Sequence, residues 1–330
     1  LADPNDPSVI DVPPSASPSV ARAITTARQL IAGATSENTR RSYGTGWRQF
    51  TSHAQTLGLE PLGAHPALVA TFLGHLRDGG ASAQTLGSRA AAIRFFHRQA
   101  GLTSPTDQRV VRDLLEGARR QDGGRDHGRA TITAKRLAAS IELQGPPATP
   151  LAIRDRAIVL LTFASGRRRA EIAALNVEDL DFDRPDFLIM TIRKSKTDQG
   201  GAGQFVAVPR LKHGPCAVAA LEAWLGVLEK KKGPLFVAFS PHGALGETRI
   251  EGRLVAEVVK RLFRDAGASR RDVDAIGAHS LRRGFVTSAD MAGATAAQIM
   301  DVTGHRDPKS LRRYTRRELL HDPVLPKLFG

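Results

Sequence analysis

The stretch DFLIMTIRKSKTDQGGAGQFVAVP, residues 186–209, breaks the pattern of the chain around it. On both sides apolar residues recur every three or four positions, the period of an amphipathic helix. Within it, "DFLIMTIRK" and "GQFVAVP" read with the two-residue period of strands, and "TDQGG" between them has the chemistry of a turn. A β-hairpin set into a helical chain is predicted. The fold class is therefore mainly α with a small β-sheet.

Outward from the hairpin, helices precede it at "TAKRLAASIEL" and "PLAIRDRAIVLLTFAS" and follow it at "CAVAALEAWLGVLEK". A short strand, "PLFVAF", interrupts, and from residue 248 the rest reads as helical down to "VLPKLF". Upstream, "RRQDGGRDHGRATIT" has the Gly and charge density of a linker and no apolar period. Before it lies an all-helical domain, whose segments from "VARAITTARQLIAG" to "TDQRVVRDLLEGARRQ" carry helical spacing and are parted by Gly or Pro. Residues 1–18, rich in Pro, Ser and Asp, are expected to be a disordered tail. The expected organisation is tail 1–18, helical domain 19–125, linker 126–131 and mixed α+β domain 132–330. Two domains fit a prior of about 150 residues each.

An excess of 47 Lys and Arg over 33 Asp and Glu gives a net charge of +14. Residues 41–130 hold 12 basic and 7 acidic side chains and residues 131–330 hold 32 and 22, so both domains are basic. Such a balance points to a polyanionic partner, nucleic acid first. In the helical domain Arg40, Arg41, Arg48, Arg89, Arg94 and Arg98 fall near helix starts and on polar faces, where they could meet phosphates; a solvated helix face is the alternative for each. No apolar run approaches the ~20 residues that cross a bilayer, and the N-terminus lacks the basic flank and apolar stretch of a signal peptide. A cytoplasmic protein with no membrane partner is expected. The single Cys216 cannot form an internal disulfide and reads as a buried structural thiol in "PCAVAALEAWL".

Chemistry is carried by the cations. "ASGRRRAEIAALNVEDL" places Arg167, Arg168 and Arg169 at the start of an amphipathic helix, where guanidinium and backbone N–H groups can face one anion together. "AHSLRRGFVTSADMAG" sets His279 and Arg282 three apart, on one face of a helix that begins by Ser280. His279 and His305 have no carboxylate or Cys at ligand spacing, and HxxxH and CxxC do not occur, so no metal is expected. Neither GxxxxGK[ST] nor GxSxG is present, so no nucleotide cofactor or Ser-His-Asp chemistry is expected. Tyr314, one of two tyrosines, lies in "GHRDPKSLRRYTRRE" among six Lys and Arg and nine positions after His305. A free phenol has a pKa of about 10, and a field of cations favours the phenolate.

In order and separation, "SGRRRAEIAAL", "RKSKTDQGG", "HSLRRGF", "TGHRDP" and "RRYT" resemble the tyrosine recombinases, the phage integrase family, over roughly residues 35–320. The family's Gly-x-Arg-x-x-Glu motif falls on Arg168 with Glu171 as its acidic partner; its hairpin lysine falls on Lys196, its His-x-x-Arg box on His279 and Arg282, its second histidine on His305 and its nucleophile on Tyr314. Ser165 stands where Thr is commoner, and Arg167 and Arg169 flank the motif arginine. The resemblance implies that the helical domain is a core-binding domain which, with the catalytic domain, clamps double-stranded DNA; Tyr43, the other tyrosine, lies in "TRRSYGTGWRQF" and is expected to be a packing residue.

The same resemblance implies a reaction. Tyr314 attacks a DNA phosphodiester, Arg168 and Arg282 hold the non-bridging oxygens, His279 and His305 donate hydrogen bonds or manage the phenol proton, and Lys196 protonates the leaving 5′ oxygen. Glu171 buttresses Arg168. Exchange of strands between two duplexes implies a homotetramer on DNA, two dimers across a synapse. The apolar end of the chain, Leu319, Leu320, Val324, Leu325, Leu328 and Phe329, is expected to dock on a neighbouring subunit, with its own domain as the alternative. A topoisomerase of type IB and a catalytically silent DNA-binding regulator are the competing readings.

Overall fold

The computed structural model describes residues 17–34, 36–123, 130–193, 203–277, 279–305 and 307. The expected tail before residue 17, most of the linker, the hairpin turn with Lys196, and the C-terminal stretch with Tyr314 lie outside the described residues. The chain divides into two compact units between His127 and Gly128.

The first unit is helical: α1 (Pro18–Ala34), α2 (Glu37–Thr56), α3 (Pro66–Asp78), α4 (Ala83–Gln99), a 3-10 turn at Pro105–Asp107 and α5 (Arg109–Gln121). Side-chain caps explain where the helices start. The Ser36 and Ser82 hydroxyls accept the N–H groups of Thr39 and Thr85 at 3.2 and 3.3 Å, and His65 Nδ1 accepts that of Ala67 with Pro66 opening α3. The apolar faces meet in a core of Trp47, Phe50, Phe72, Leu73, Leu86, Ile93 and Val111, each large side chain contributing about 1.5–3 kcal/mol by leaving water. Gly46 lets α2 approach α4, since a Cβ there would lie 2.8 Å from that of Ala92. Tyr43 stacks obliquely on Phe95, ring centroids 5.0 Å apart.

The second unit runs α6 (Ala134–Gln144), α7 (Pro150–Ser165), α8 (Arg169–Ala174), β1 (Leu180–Asp181), β2 (Phe187–Ile192), β3 (Gln204–Pro209), α9 (Ala217–Leu228), β4 (Val237–Phe239), β5 (Leu245–Arg249), α10 (Gly252–Asp265), α11 (Arg270–Ala275), α12 (Ser280–Met291) and α13 (Ala296–Thr303). β1, β2 and β3 form one antiparallel sheet with Phe187 opposite Pro209 and Ile192 opposite Gln204. One face of it, with Leu188, Met190, Ile192, Val206 and Val208, is buried in the core that also holds α7, α9 and α10. β4 and β5 make a second, two-stranded sheet. Residues 248 and 249 thus end a strand, and helix resumes at Gly252, four residues later than the sequence period suggests. Arg249 reaches back to the carbonyls of Ala173 and Leu175, which fixes β5 in a stretch too polar to read as a strand. Cys216 is half-buried rather than buried, its sulfur accepting the N–H of Leu211 at 3.3 Å. Among the described residues no helix is long and apolar enough to cross a membrane.

Candidate phosphate-binding and cleavage site

Two turns build the site. Gly166 ends α7 in the left-handed region with φ 56°, and a Cβ there would sit 2.8 Å from Thr303 Cγ2 and 2.9 Å from Phe285 Cδ1. Only glycine fits, and the turn feeds straight into Arg167 and Arg168. Gly304 ends α13 in the same way with φ 67° and delivers His305.

Arg282, on the first turn of α12, joins the two. It is buried, and its Nη1 donates to the carbonyls of Gly166 (2.7 Å) and Thr303 (2.6 Å) while Nη2 meets His305 Nε2 at 2.8 Å. Helix α12 can sit so deep because Gly284 passes against the Ile132 carbonyl, where a Cβ would collide. His279 is the residue before α12 and lies open to solvent. Arg168 precedes α8 and is partly exposed, its side chain at 22%, with Nη1 donating to Glu171 Oε1 at 2.9 Å. The second carboxylate oxygen of Glu171 accepts the Arg168 backbone N–H at 3.1 Å, so Glu171 fixes both backbone and guanidinium.

The protonation state of His305 follows from its bonds. The Thr303 hydroxyl donates its one proton to the Ile299 carbonyl at 2.6 Å, so at 2.6 Å from His305 Nδ1 it accepts. Nε2 in turn accepts from Arg282. Only a neutral imidazole protonated at Nδ1 satisfies both. Burial first, then Arg282, Arg168 and Arg167, lower its pKa to about 4. The His279 pKa is lowered too, first by the desolvation of its ring at the site and then by Arg282, Arg169, Arg168 and Arg283.

Of the residues expected from the sequence, Arg168, His279, Arg282 and His305 come together: Arg282 bonds His305, both arginines act on both histidines, and Glu171 pairs with Arg168. Lys196 and Tyr314 lie outside the described residues. Gly166 is the glycine of the Gly-x-Arg-x-x-Glu motif, whereas no sequence pattern assigns Thr303 and Gly304 a role of their own; Gly304 carries a turn signal, and Thr303 matters through hydrogen bonds that no pattern reveals. Of three adjacent arginines, Arg167 is buried, Arg169 is exposed and Arg168 is the one paired with Glu171. Among the described residues no group of His, Cys, Asp and Glu is arranged to hold a metal.

The six arginines of the helical unit lie on α2 (Arg40, Arg41, Arg48) and α4 (Arg89, Arg94, Arg98). Arg41 pairs with Glu37 at 2.8 Å, Arg48 bonds Thr45 at 3.2 Å, and Arg94 and Arg98 share Asp107 at 3.0 and 3.4 Å. Arg89 packs its stem on Gly46. The ion pairs of Arg41 and Arg98 are on the surface and weak, about 0–1 kcal/mol, so a phosphate can replace the carboxylate.

Residues 133–320 match the model of the phage integrase family, and residues 27–101 match its N-terminal SAM-like domain. The chain belongs to the phage integrase family. Its catalytic match spans Arg168, Lys196, His279, Arg282, His305 and Tyr314, and the SAM-like match spans the six arginines of α2 and α4. An integrase/recombinase XerD homologue of Selenomonas ruminantium is 30% identical over 309 residues, covering 92% of this chain and 89% of the relative. Tyrosine recombinase XerD of Mycobacterium leprae is 27% identical over 307 residues, covering 87% and 89%. The fold is shared with solved integrase-family structures. A XerH site-specific recombinase bound to palindromic difH substrate, in its post-cleavage complex, superposes with a TM-score of 0.62 at 16% identity over 89% of this chain and 81% of that one. A lambda integrase tetramer bound to a Holliday junction superposes with a TM-score of 0.58 at 14% identity, covering 90% and 80%.

Proposed function

We propose that this integrase-family enzyme is a site-specific DNA recombinase working in the cytoplasm, with Tyr314 as nucleophile. The convergence of Arg168, Arg282, His279 and His305 on one region, with Glu171 paired to Arg168, carries the reading. Attack on a phosphodiester builds negative charge on the non-bridging oxygens, and two permanently charged, planar guanidiniums held by fixed acceptors stabilise it without reorganising. The phenol oxygen forms a bond to phosphorus while the bond to the 5′ oxygen breaks. Lys196 gives that oxygen a proton, and the phenol proton leaves through His279, which faces solvent, because His305 already spends Nε2 on Arg282 and its Nδ1–H on Thr303. The 3′-phosphotyrosine keeps the energy of the broken bond, so a 5′ hydroxyl from another strand can reverse the step with no outside energy.

Exchange between two duplexes calls for a homotetramer on DNA, two dimers across a synapse. Recombinases are named among the relatives and a tetramer bound to a Holliday junction among the structural neighbours, which supports this assembly over that of a monomeric type IB topoisomerase. The discriminating experiment incubates the protein with a plasmid carrying two copies of its site, identified by sequencing DNA trapped on the enzyme. Site-dependent excision or inversion is the expected result. Relaxation of supercoils on plasmids without the site, and no rearrangement, would support the topoisomerase reading.

A further inference from the structure

Arg167 is a buried cation to which the reaction scheme above gives no task. It is 1% exposed. Its Nη1 donates to Gln204 Oε1 at 2.7 Å, and its Nε is buried with no hydrogen-bond partner among the described residues. Burial lowers its pKa, with Glu171 opposing and Arg168 adding to the shift. A guanidinium placed in the interior on one neutral acceptor among the described residues costs stability that an apolar side chain of the same length would not. Such a cost marks a position held for something other than the fold.

Three segments meet at this bond. Arg167 follows Gly166, whose carbonyl holds Arg282. Gln204 is the first residue of β3 and stands opposite Ile192, the last of β2, so it closes the base of the hairpin. Gly304 lies across the bond itself: its left-handed backbone leaves no room for a Cβ, which would collide with Arg167 Nη1 and sit 3.0 Å from Gln204 Oε1. The next residue is His305. Arg167 is too deeply enclosed for DNA to reach it, so a direct role on the phosphate does not fit.

We propose that Arg167 is a positioning residue for strand cleavage: through Gln204 it fixes the base of the β2–β3 hairpin to the loop that carries His305, so that hairpin and arginine–histidine cluster keep one register. The inference rests on the reading that the hairpin supplies the acid. Losing the bond misplaces that acid while Arg168 and Arg282 keep their own partners.

The test compares Arg167→Met, Gln204→Ala and the double variant, using formation of the covalent adduct on site DNA, single-site binding and melting temperature. Both single variants should cleave at least tenfold more slowly with binding unchanged, the double should be no slower than the slower single, and DNA with sulfur in place of the leaving 5′ oxygen should restore all three, because a thiolate departs without a proton. Wild-type cleavage by Gln204→Ala, or losses that multiply in the double variant, would overturn the coupling. If Arg167→Met does not fold, Gln204→Ala decides alone: slow cleavage rescued by sulfur supports the proposal, and a wild-type rate rejects it. Lys196→Ala run alongside separates the two levels. Its rescue without rescue of the Arg167 and Gln204 variants sinks the coupling and leaves the scheme standing. No rescue of Lys196→Ala sinks the assignment of the acid, and the double-variant comparison still decides the coupling.

Discussion

At the scale of single residues, His305 shows how the site shapes its own protonation. The unfolded chain takes up a proton on this group near 6.5, whereas the folded protein resists until about 4. Between those values the unfolded state binds more protons, so stability falls as pH is lowered through this window and the loss is complete below about 4. The shift sets an upper bound of about 3 kcal/mol at ~1.4 kcal/mol per unit, reduced toward about 2 by partial exposure. Melting temperatures of wild type and His305→Gln measured from pH 7.5 to 4.5 should diverge, with the wild type losing more on acidification; parallel curves would contradict the assignment. A phosphate in the site offsets the surrounding guanidiniums and raises the His305 pKa. Binding of site DNA to Tyr314→Phe near pH 5.5 should therefore take up protons, seen as a buffer-dependent heat in calorimetry, and a buffer-independent heat would count against it.

At the scale of elements, the helices and the hairpin were legible because their periods are long and clean: α7 begins and ends where "PLAIRDRAIVLLTFAS" does, and Ile192 and Gln204 bracket the expected turn. β1 has two residues and β5 reads "LGETR", so neither carries an apolar alternation; backbone pairing and the reach of Arg249 make them strands. Spacing alone singled out the three arginines 167–169 and the pair His279 and Arg282, and the family resemblance was needed to choose Arg168 and to add Glu171 and His305. The scaffolding of the site was not legible, because Thr303 and Gln204 act through hydrogen bonds formed only when distant segments meet. The hairpin element carries its own prediction. Lys196→Ala should cleave ordinary site DNA on the order of 100-fold or more slowly and recover on DNA with a bridging sulfur at the 5′ position, while Arg168→Ala should not recover. Rescue of Arg168→Ala with Lys196→Ala still slow would move the acid elsewhere.

At the scale of the whole molecule, a charge of +14, with basic residues in excess in both domains, suits an enzyme that acts on DNA. Strand exchange further requires that subunits hold one another. Removing residues 319–330 should leave single-site binding in a gel shift close to wild type while weakening tetramer assembly in sedimentation on two-site DNA; an insoluble chain, or one that loses single-site binding, would place that stretch in its own domain's core. All of this depends on a covalent link between Tyr314 and DNA, and one denaturing gel addresses it. Wild-type protein mixed with nicked site DNA should give a protein–DNA band that survives denaturant and is unchanged by excess EDTA, and Tyr314→Phe should give none while binding the site as well as wild type. A covalent band of full strength in Tyr314→Phe would contradict the account.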